Sequence, residues 1–158
     1  MSREARLRFY VDADLLGLAR LLVSLRPDIT YPGDPGGDGV DGRVRPPCPV
    51  SAPNVRDVDW LPVVAQRGWL ILTKDLRISR LPEERRAVRQ NGARMVVISS
   101  GDREKLRKWG QLEILFTHWR RIEPLVELPG PYIYRATRTS FTKLDVGTGR
   151  PFRPPPSA

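Results

Sequence analysis

The sequence predicts an α/β fold around a mainly parallel β-sheet. Short apolar runs that suit buried strands alternate with segments whose apolar residues recur at helical spacing. The 158 residues are 40% hydrophobic and 28% charged, which is typical of one globular domain with a sizeable core. No apolar run approaches the ~20 residues of a membrane-spanning helix, so no membrane partner is expected.

The first part of the chain predicts a strand, a helix and a second strand. Residues 7–11 carry Phe, Tyr and Val and suit a short strand. Leucines recur at helical spacing over residues 15–25, and Asp14 stands where an N-cap residue is expected. A further short strand is predicted at residues 29–31.

Residues 32–54 are dense in Gly and Pro, which predicts a segment without regular structure. Its length makes it either a mobile flap or a disordered insert. It contains Cys48, the single cysteine, which excludes an internal disulfide and has no neighbouring Cys or His to form a zinc site. One cysteine and an N-terminus without an apolar signal region favour a cytoplasmic location.

The second part alternates helices with continuous apolar strands, the pattern of parallel strands covered on both faces. In order, the predicted elements are a helix that starts at Asp57 or Asp59 and stops at Gly68, a strand from Trp69 to Leu72, a helix from Pro82 to Asn91, a strand from Met95 to Ile98, a helix within residues 102–127, and one or two strands from Tyr132 to Leu144. Residues 1–128 are interpreted as one domain and 129–158 as a basic C-terminal extension with a Pro-rich tail.

The long helix within residues 102–127 carries Trp109, Phe116 and other apolar residues at helical spacing. These aromatic residues are expected in the core rather than on a base-stacking surface. His118 of the same helix is expected to be a packed or surface residue rather than a general base.

The net charge of +9 is unevenly distributed along the chain. Residues 1–73 carry nine bases and nine acids, so the whole excess follows residue 73. A one-sided basic surface suits a polyanion such as nucleic acid, and solvated helix faces are the alternative.

Carboxylates follow two predicted strands. Asp12 comes directly after the first strand, and Asp75 closely follows the strand that ends at Leu72. If these strands are neighbours, both acids emerge at the carboxyl edge, where α/β sheets bind ligands. Converging carboxylates repel each other and need a cation, and oxygen ligands select Mg²⁺ or Mn²⁺. Asp57, Asp59 and Asp75 each have a helix-capping alternative, whereas Asp12 has no obvious structural task.

Three motifs in order, FYVDADL, DVDWLPVVAQRGWLILTKD and ARMVVIS, resemble the PIN-like nuclease superfamily, and within it the VapC-like toxins of bacterial toxin–antitoxin systems. The resemblance covers roughly residues 7–125. It implies a three-layer α/β/α sandwich with Mg²⁺- or Mn²⁺-dependent endoribonuclease activity. RNA and an antitoxin protein are the expected partners, and a homodimer is left open.

The resemblance also implies roles for the acids. Asp12, Asp57 and Asp75 would be catalytic metal ligands, and Asp59 would assist them. Such nucleases carry a further acid on a middle helix. Here the matching region is the segment 32–54, so Asp34 or a neighbouring acid is one candidate for that ligand.

Substrate binding is expected immediately after the strand that ends at Leu72. Lys74, Arg77 and Arg80 would bind phosphate oxygens, with an exposed helix face as the alternative for the arginines. Thr73, together with Ser99 at the end of the next strand, would orient a carboxylate or a metal-bound water. Two other classes of function remain open: a non-catalytic nucleic-acid-binding module, and a protein-interaction module that pairs through its tail by strand addition.

Overall fold

A computed structural model describes residues 3–74, 81–100 and 105–147 of the chain. The strands are β1 (Arg3–Glu4), β2 (Phe9–Val11), β3 (Ile29–Thr30), β4 (Gly37–Asp38), β5 (Arg43–Arg45), β6 (Leu70–Thr73), β7 (Arg94–Ile98), β8 (Tyr132–Ala136) and β9 (Phe141–Leu144). The helices are α1 (Leu16–Val23), α2 (Asp57–Gln66), α3 (Pro82–Asn91) and α4 (Lys108–Ile122). No helix within the described ranges is long and apolar enough to span a membrane.

The main sheet has the order β3-β2-β6-β7-β8-β9. All neighbouring strands are parallel except β9, which runs antiparallel to β8. The predicted adjacency of the first strand and the strand ending near Leu72 is confirmed, because β2 pairs directly with β6. The backbone N–H of Asp12 extends this pairing by donating to the carbonyl of Leu72 at 2.9 Å. The prediction of a mixed α/β fold with a mostly parallel sheet is therefore confirmed.

Successive side chains of the main strands enter two different apolar clusters. Phe9, Leu70 and Val96 lie in a cluster that includes residues of α1 and α4. Tyr10 and Ile71, which are register partners, lie in a second cluster that includes residues of α2 and α3. Both side-chain rows of β6 are thus buried, which explains why its sequence is continuously apolar rather than alternating.

Helix α3 follows its sequence signals. Pro82 is its first residue, where a missing N–H leaves no helical hydrogen bond unmade. Glu83 and Glu84 lie in the first turn and Arg89 in the last, the order that the helix dipole favours. Gly92 ends the helix with φ 62°, a left-handed conformation that a residue with a Cβ adopts only with strain. The predicted boundaries are confirmed.

The predicted start of α2 at Asp57 is confirmed, but the N-cap residues of α1 and α2 differ from those that the sequence suggested. A 3₁₀ turn, Ala13–Leu15, precedes α1, and its N-cap is Asp12, whose carboxylate accepts the N–H of Ala13 at 2.7 Å. Asp14 lies inside this turn and does not cap α1. At α2 the N-cap position belongs to Arg56, so Asp57 and Asp59 both lie inside the first helical turn.

The sequence predicted that residues 32–54 lack regular structure, and this prediction is wrong. They contain β4 and β5, which form a small sheet with β1 in the order β1-β5-β4. Asp34 anchors this region because its buried carboxylate pairs with the guanidinium of Arg45 and accepts the N–H of Gly36 at 2.9 Å and the hydroxyl of Thr30 at 3.1 Å. Since Arg45 already neutralises it, Asp34 is not the additional metal ligand considered above.

The strands predicted between Tyr132 and Leu144 are present and extend the main sheet. β8 pairs in parallel with β7, and β9 forms the edge of the sheet. Residues 132–144 therefore complete the sheet rather than stand apart from it. The Pro-rich tail from residue 148 lies outside the described residues.

Helix α4 begins at Lys108, later than predicted, and residues 101–104 lie outside the described ranges. Leu115 and Ile122 are buried as expected, and Ile114, which was not on the predicted stripe, is buried as well. His118 is packed, with Nε2 2.7 Å from the carbonyl of Thr137.

The expectation that the Trp and Phe residues of this helix lie in the core is confirmed for Trp119, which packs against the first cluster, and is wrong for Trp109 and Phe116. Trp109 is 73% exposed and Phe116 is 67% exposed. The apolar residues of α4 cover more than one face of the helix, and only one face packs against the sheet.

The buried pair of Asp34 and Arg45 generates a stability prediction. Arg45→Ala leaves the Asp34 carboxylate buried without its counter-ion, so the free energy of unfolding should fall by about 3 kcal/mol in urea denaturation. Arg43→Ala, at the exposed first residue of the same strand, is the matched control and should change it by less than about 0.5 kcal/mol. Equal effects of the two substitutions would contradict the anchoring role of the pair.

Candidate active site at the carboxyl edge of the sheet

The carboxyl ends of β2 and β6 bring two aspartates to one threonine. Thr73 is the last residue of β6, and Asp12 directly follows β2. The Thr73 hydroxyl oxygen lies 3.0 Å from Oδ2 of Asp12 and 3.1 Å from Oδ2 of Asp14. The backbone N–H of Lys74 also donates to the Asp14 carboxylate at 3.3 Å. Asp12, Asp14 and Thr73 are called the acid cluster below.

The acid cluster concentrates negative charge. A threonine hydroxyl carries one proton and donates it fully to only one of the two carboxylates at a time. Burial, followed by the negative charge of Asp12, raises the pKa of Asp14 from 3.8 to about 6, although the hydrogen bonds from Thr73 and Lys74 act in the opposite direction. Two carboxylates in this arrangement fit a hard cation such as Mg²⁺ or Mn²⁺, which prefers oxygen ligands.

Asp57 lies under the same edge, on α2. Its Oδ1 accepts a hydrogen bond from Nε1 of Trp60 at 2.9 Å, and the Trp60 ring stacks on Tyr10 with 5.0 Å between centroids. Burial, and then the charges of Asp12 and, more weakly, Asp57, raise the pKa of the Tyr10 hydroxyl. The charges of Asp12 and Asp57 therefore both raise the pKa of the Tyr10 hydroxyl, although the two acids belong to different elements.

Asp59 lies away from this arrangement. It is exposed and pairs with Arg56 on the helix surface, with 3.2 Å between Nε and Oδ2. Exposed pairs of this kind contribute little stability, so Asp59 is not fixed in place by it.

Some of the predicted ligand and substrate-binding residues lie outside the ranges that the structure describes. Asp75, Arg77 and Arg80 lie outside the described residues. Among the residues that are described, no three Asp, Glu, His or Cys side chains form a group suited to one metal ion. The assignment of Asp12, Asp57, Asp59 and Asp75 as metal ligands therefore stays a prediction.

Thr73 contacts the acids through its hydroxyl, and Lys74 contacts Asp14 through its backbone N–H. Thr73 is buried against the carboxylates, and the positive charge of Lys74 opposes the rise in the pKa of Asp14. Ser99, buried at the end of β7, accepts a hydrogen bond at 3.4 Å from Nη2 of Arg135 on β8. The substrate-binding roles of Thr73 and Lys74 stay predictions.

Two residues at this edge were not selected from the sequence. Asp14 was interpreted as a helix cap, although the spacing of Asp12 and Asp14 after a strand carries the signal for paired acids. Arg135 lies in a strand that alternates between apolar and polar residues, where a basic residue gives no signal of its own.

Residues 41–100 match a family model described as a PIN-like domain. The matched region runs from the small sheet to the end of β7 and includes Asp57, Asp59 and Thr73, but not Asp12 or Asp14. The match supports the relationship to the PIN-like superfamily that the motifs indicated. No curated protein and no solved structure gives a significant match to the chain. Because PIN-like domains are often nucleases, the acid cluster is the candidate active site.

The raised pKa of Asp14 generates a pH prediction for the protein in EDTA. The folded state binds this proton more tightly than the unfolded state, so the free energy of unfolding should fall as the pH rises from 3.8 to about 6 and then level off. The decrease in the free energy of unfolding that is due to Asp14 should amount to about 3 kcal/mol. Urea denaturation at a series of pH values measures it.

Asp14→Asn should remove this part of the pH dependence, because an amide does not titrate. Asp38→Asn, an exposed acid of the small sheet, is the matched control and should leave it in place. An Asp14→Asn protein with the pH dependence of the parent would contradict the raised pKa.

Proposed function

We propose that the chain is a Mg²⁺- or Mn²⁺-dependent endoribonuclease of the PIN-like type. The observation that carries the proposal is the acid cluster, two aspartates on one threonine hydroxyl at the carboxyl edge of a chain with a PIN-like match. The two apolar clusters on opposite faces of the main sheet support the three-layer sandwich that this fold implies. The basic surplus after residue 73 suits an RNA substrate.

Each residue of the acid cluster has a separate task in this proposal. Asp12 and Asp14, with Asp57 and Asp75, would hold the ion, and Thr73 would fix the orientation of the two carboxylates nearest to it. The bound ion would polarise the phosphodiester and lower the pKa of the attacking water. Lys74 and Arg135 place positive charge at the same edge, where they would stabilise the phosphate of the substrate.

The more specific part of the proposal is that the protein is the cytoplasmic toxin of a toxin–antitoxin pair. It rests on the motif order FYVDADL, DVDWLPVVAQRGWLILTKD and ARMVVIS. A protein antitoxin would then be the natural partner, and the substrate would be a cellular RNA.

The nuclease proposal predicts metal-dependent cleavage that requires Asp12. The purified protein should cleave single-stranded RNA with Mg²⁺ or Mn²⁺ and lose this activity in EDTA. Asp12→Asn should lower the rate by at least about 100-fold, because a ligand of the ion contributes several kcal/mol to transition-state stabilisation. Asp38→Asn makes the same chemical change at an exposed site and should keep the full rate.

Two outcomes would oppose the nuclease proposal. Cleavage that continues in EDTA, or in the Asp12→Asn protein, would exclude a metal site at this position. RNA binding without cleavage under any metal condition would favour a non-catalytic binding module. The absence of a three-acid group among the described residues is the observation that keeps this second function under consideration.

The toxin proposal predicts an effect on growth. Controlled expression of the chain in a bacterial host should stop growth, and expression of the Asp12→Asn chain should not, because the effect would depend on RNA cleavage. Growth curves with matched protein levels provide the measurement. Normal growth with an active ribonuclease inside the cell would remove the toxin role while leaving the nuclease role intact.

A further inference from the structure

Trp109 is the most exposed large apolar side chain in the described part of the chain, at 73%. Trp60 and Trp69 are buried, and the ring of Trp119 packs on Phe9 with 5.0 Å between centroids. No such ring contact, and no cation–π contact, involves Trp109 among the described residues. An indole left in water retains a large apolar area that a ligand would bury.

Trp109 lines a basic surface cavity of about 470 Å³. The other lining residues in the described ranges are Lys105, Arg107, Gly110 and Arg138, so the described part of the wall carries three positive charges and no acid. None of these three bases forms an ion pair with a carboxylate of the described residues. This volume lies in the range of pockets that bind small ligands or parts of larger ones. The cavity is called the Trp109 cavity below.

Gly110 allows the cavity to have this shape. A Cβ at position 110 would lie 2.8 Å from Nη2 of Arg138 and 3.0 Å from Cδ1 of Leu106. The guanidinium of Arg138 therefore rests against the backbone of α4, beside the ring of Trp109. A glycine inside a helix is about 1 kcal/mol less favourable than alanine, and an alanine here would require the ends of the Arg138 and Leu106 side chains to move.

The Trp109 cavity lies at the same edge of the sheet as the acid cluster. Lys105 and Arg107 follow β7 in the chain and Arg138 follows β8, just as Asp12 follows β2. Lys108, next to the cavity, reaches α1, because a Cβ on Gly17 would lie 2.8 Å from its Cε. One RNA chain bound at the acid cluster could therefore also contact the Trp109 cavity further along the same edge of the sheet.

We infer that the Trp109 cavity binds one nucleotide of single-stranded RNA, with the base stacked on Trp109 and the flanking phosphates paired with Lys105, Arg107 and Arg138. The inference rests on the proposed function for the choice of RNA as ligand. An exposed aromatic ring stacks on an unpaired base, whereas a duplex keeps its bases stacked inside. The cavity would hold the strand while the acid cluster acts on another phosphodiester.

A protein partner is the competing explanation for the exposed indole. Trp109 also borders a second cavity of about 290 Å³, whose other lining residues are Leu112, Glu113, Phe116 and Thr117. A protein surface would use Trp109 and Phe116 together, whereas a nucleotide would use Trp109 together with the three bases. The three bases beside Trp109, which form no ion pair with an acid of the described residues, favour the nucleotide.

The test measures binding of fluorescently labelled single-stranded RNA of about ten nucleotides to the full chain in EDTA, so that cleavage is not required. Trp109→Ala should weaken binding about 10-fold, the size of one base–aromatic stack. Arg138→Gln should weaken it and reduce the slope of log Kd against log salt by about one. RNA should also quench tryptophan fluorescence in the parent protein, and this quenching should be lost in Trp109→Phe.

The chain supplies matched controls. Phe116→Ala removes an equally exposed aromatic ring from the same helix, and Arg120→Gln removes an exposed charge at its other end. Both should bind RNA as the parent does. Because Trp109 is exposed, its replacement should leave the thermal midpoint unchanged, so a binding defect would not reflect unfolding.

Three results would overturn the inference: unchanged binding by Trp109→Ala, an equal loss in Phe116→Ala, or equally tight and equally Trp109-dependent binding of duplex RNA. Failure of the nuclease proposal would look different. Trp109-dependent binding without any cleavage supports the cavity and opposes the enzyme, whereas cleavage that is indifferent to Trp109 and Arg138 supports the enzyme and opposes the cavity.

Discussion

The parallel pairing of β2 with β6 is the constraint on which the rest of the structure depends. Its register places Tyr10 opposite Ile71 and Val11 opposite Leu72, and the next residues along each strand are Asp12 and Thr73. A slip of one residue would move every side chain of β2 to the other face of the sheet. The acids would then separate from the threonine, and Phe9 and Tyr10 would exchange their apolar clusters. Packing of the core and assembly of the acid cluster are therefore fixed by the same hydrogen bonds.

The order of strands places acids from the first part of the sequence and bases from the second part at the carboxyl edge of the main sheet. The electrically balanced first part contributes the acids that follow β2. The basic second part contributes β7 and β8, with Arg135 and Arg138 at or beyond the end of β8. Because β6 lies between β2 and β7, one strand separates the acids that follow β2 from the basic residues at the ends of β7 and β8. In the proposed function, an extended RNA would approach this edge from the basic side while its reacting phosphate meets the acids.

The sequence predicted those parts of the fold in which one physical signal dominates. The continuous apolar runs of β6 and β7, and the Pro82 and Gly92 signals of α3, gave nearly correct elements because burial on both faces and backbone geometry leave few alternatives. The small sheet escaped prediction because two- and three-residue strands have no periodicity and depend on the distant pair of Asp34 and Arg45. Among the residues of the acid cluster, Asp12 was selected from its position after a strand, but its closeness to Asp14 depends on the 3₁₀ turn that follows it. The exposure of Trp109 depends on which face of α4 meets the sheet, which spacing alone does not specify.

Gly110 also bears on how this chain would respond to substitution. Alanine at this position would strengthen α4 as a helix, yet its methyl group would occupy the space where the Arg138 guanidinium now lies. In the inferred nucleotide site, this displacement would move a positive charge that is proposed to pair with a phosphate. Glycine at position 110 therefore lowers the stability of the helix but leaves room for the guanidinium of Arg138.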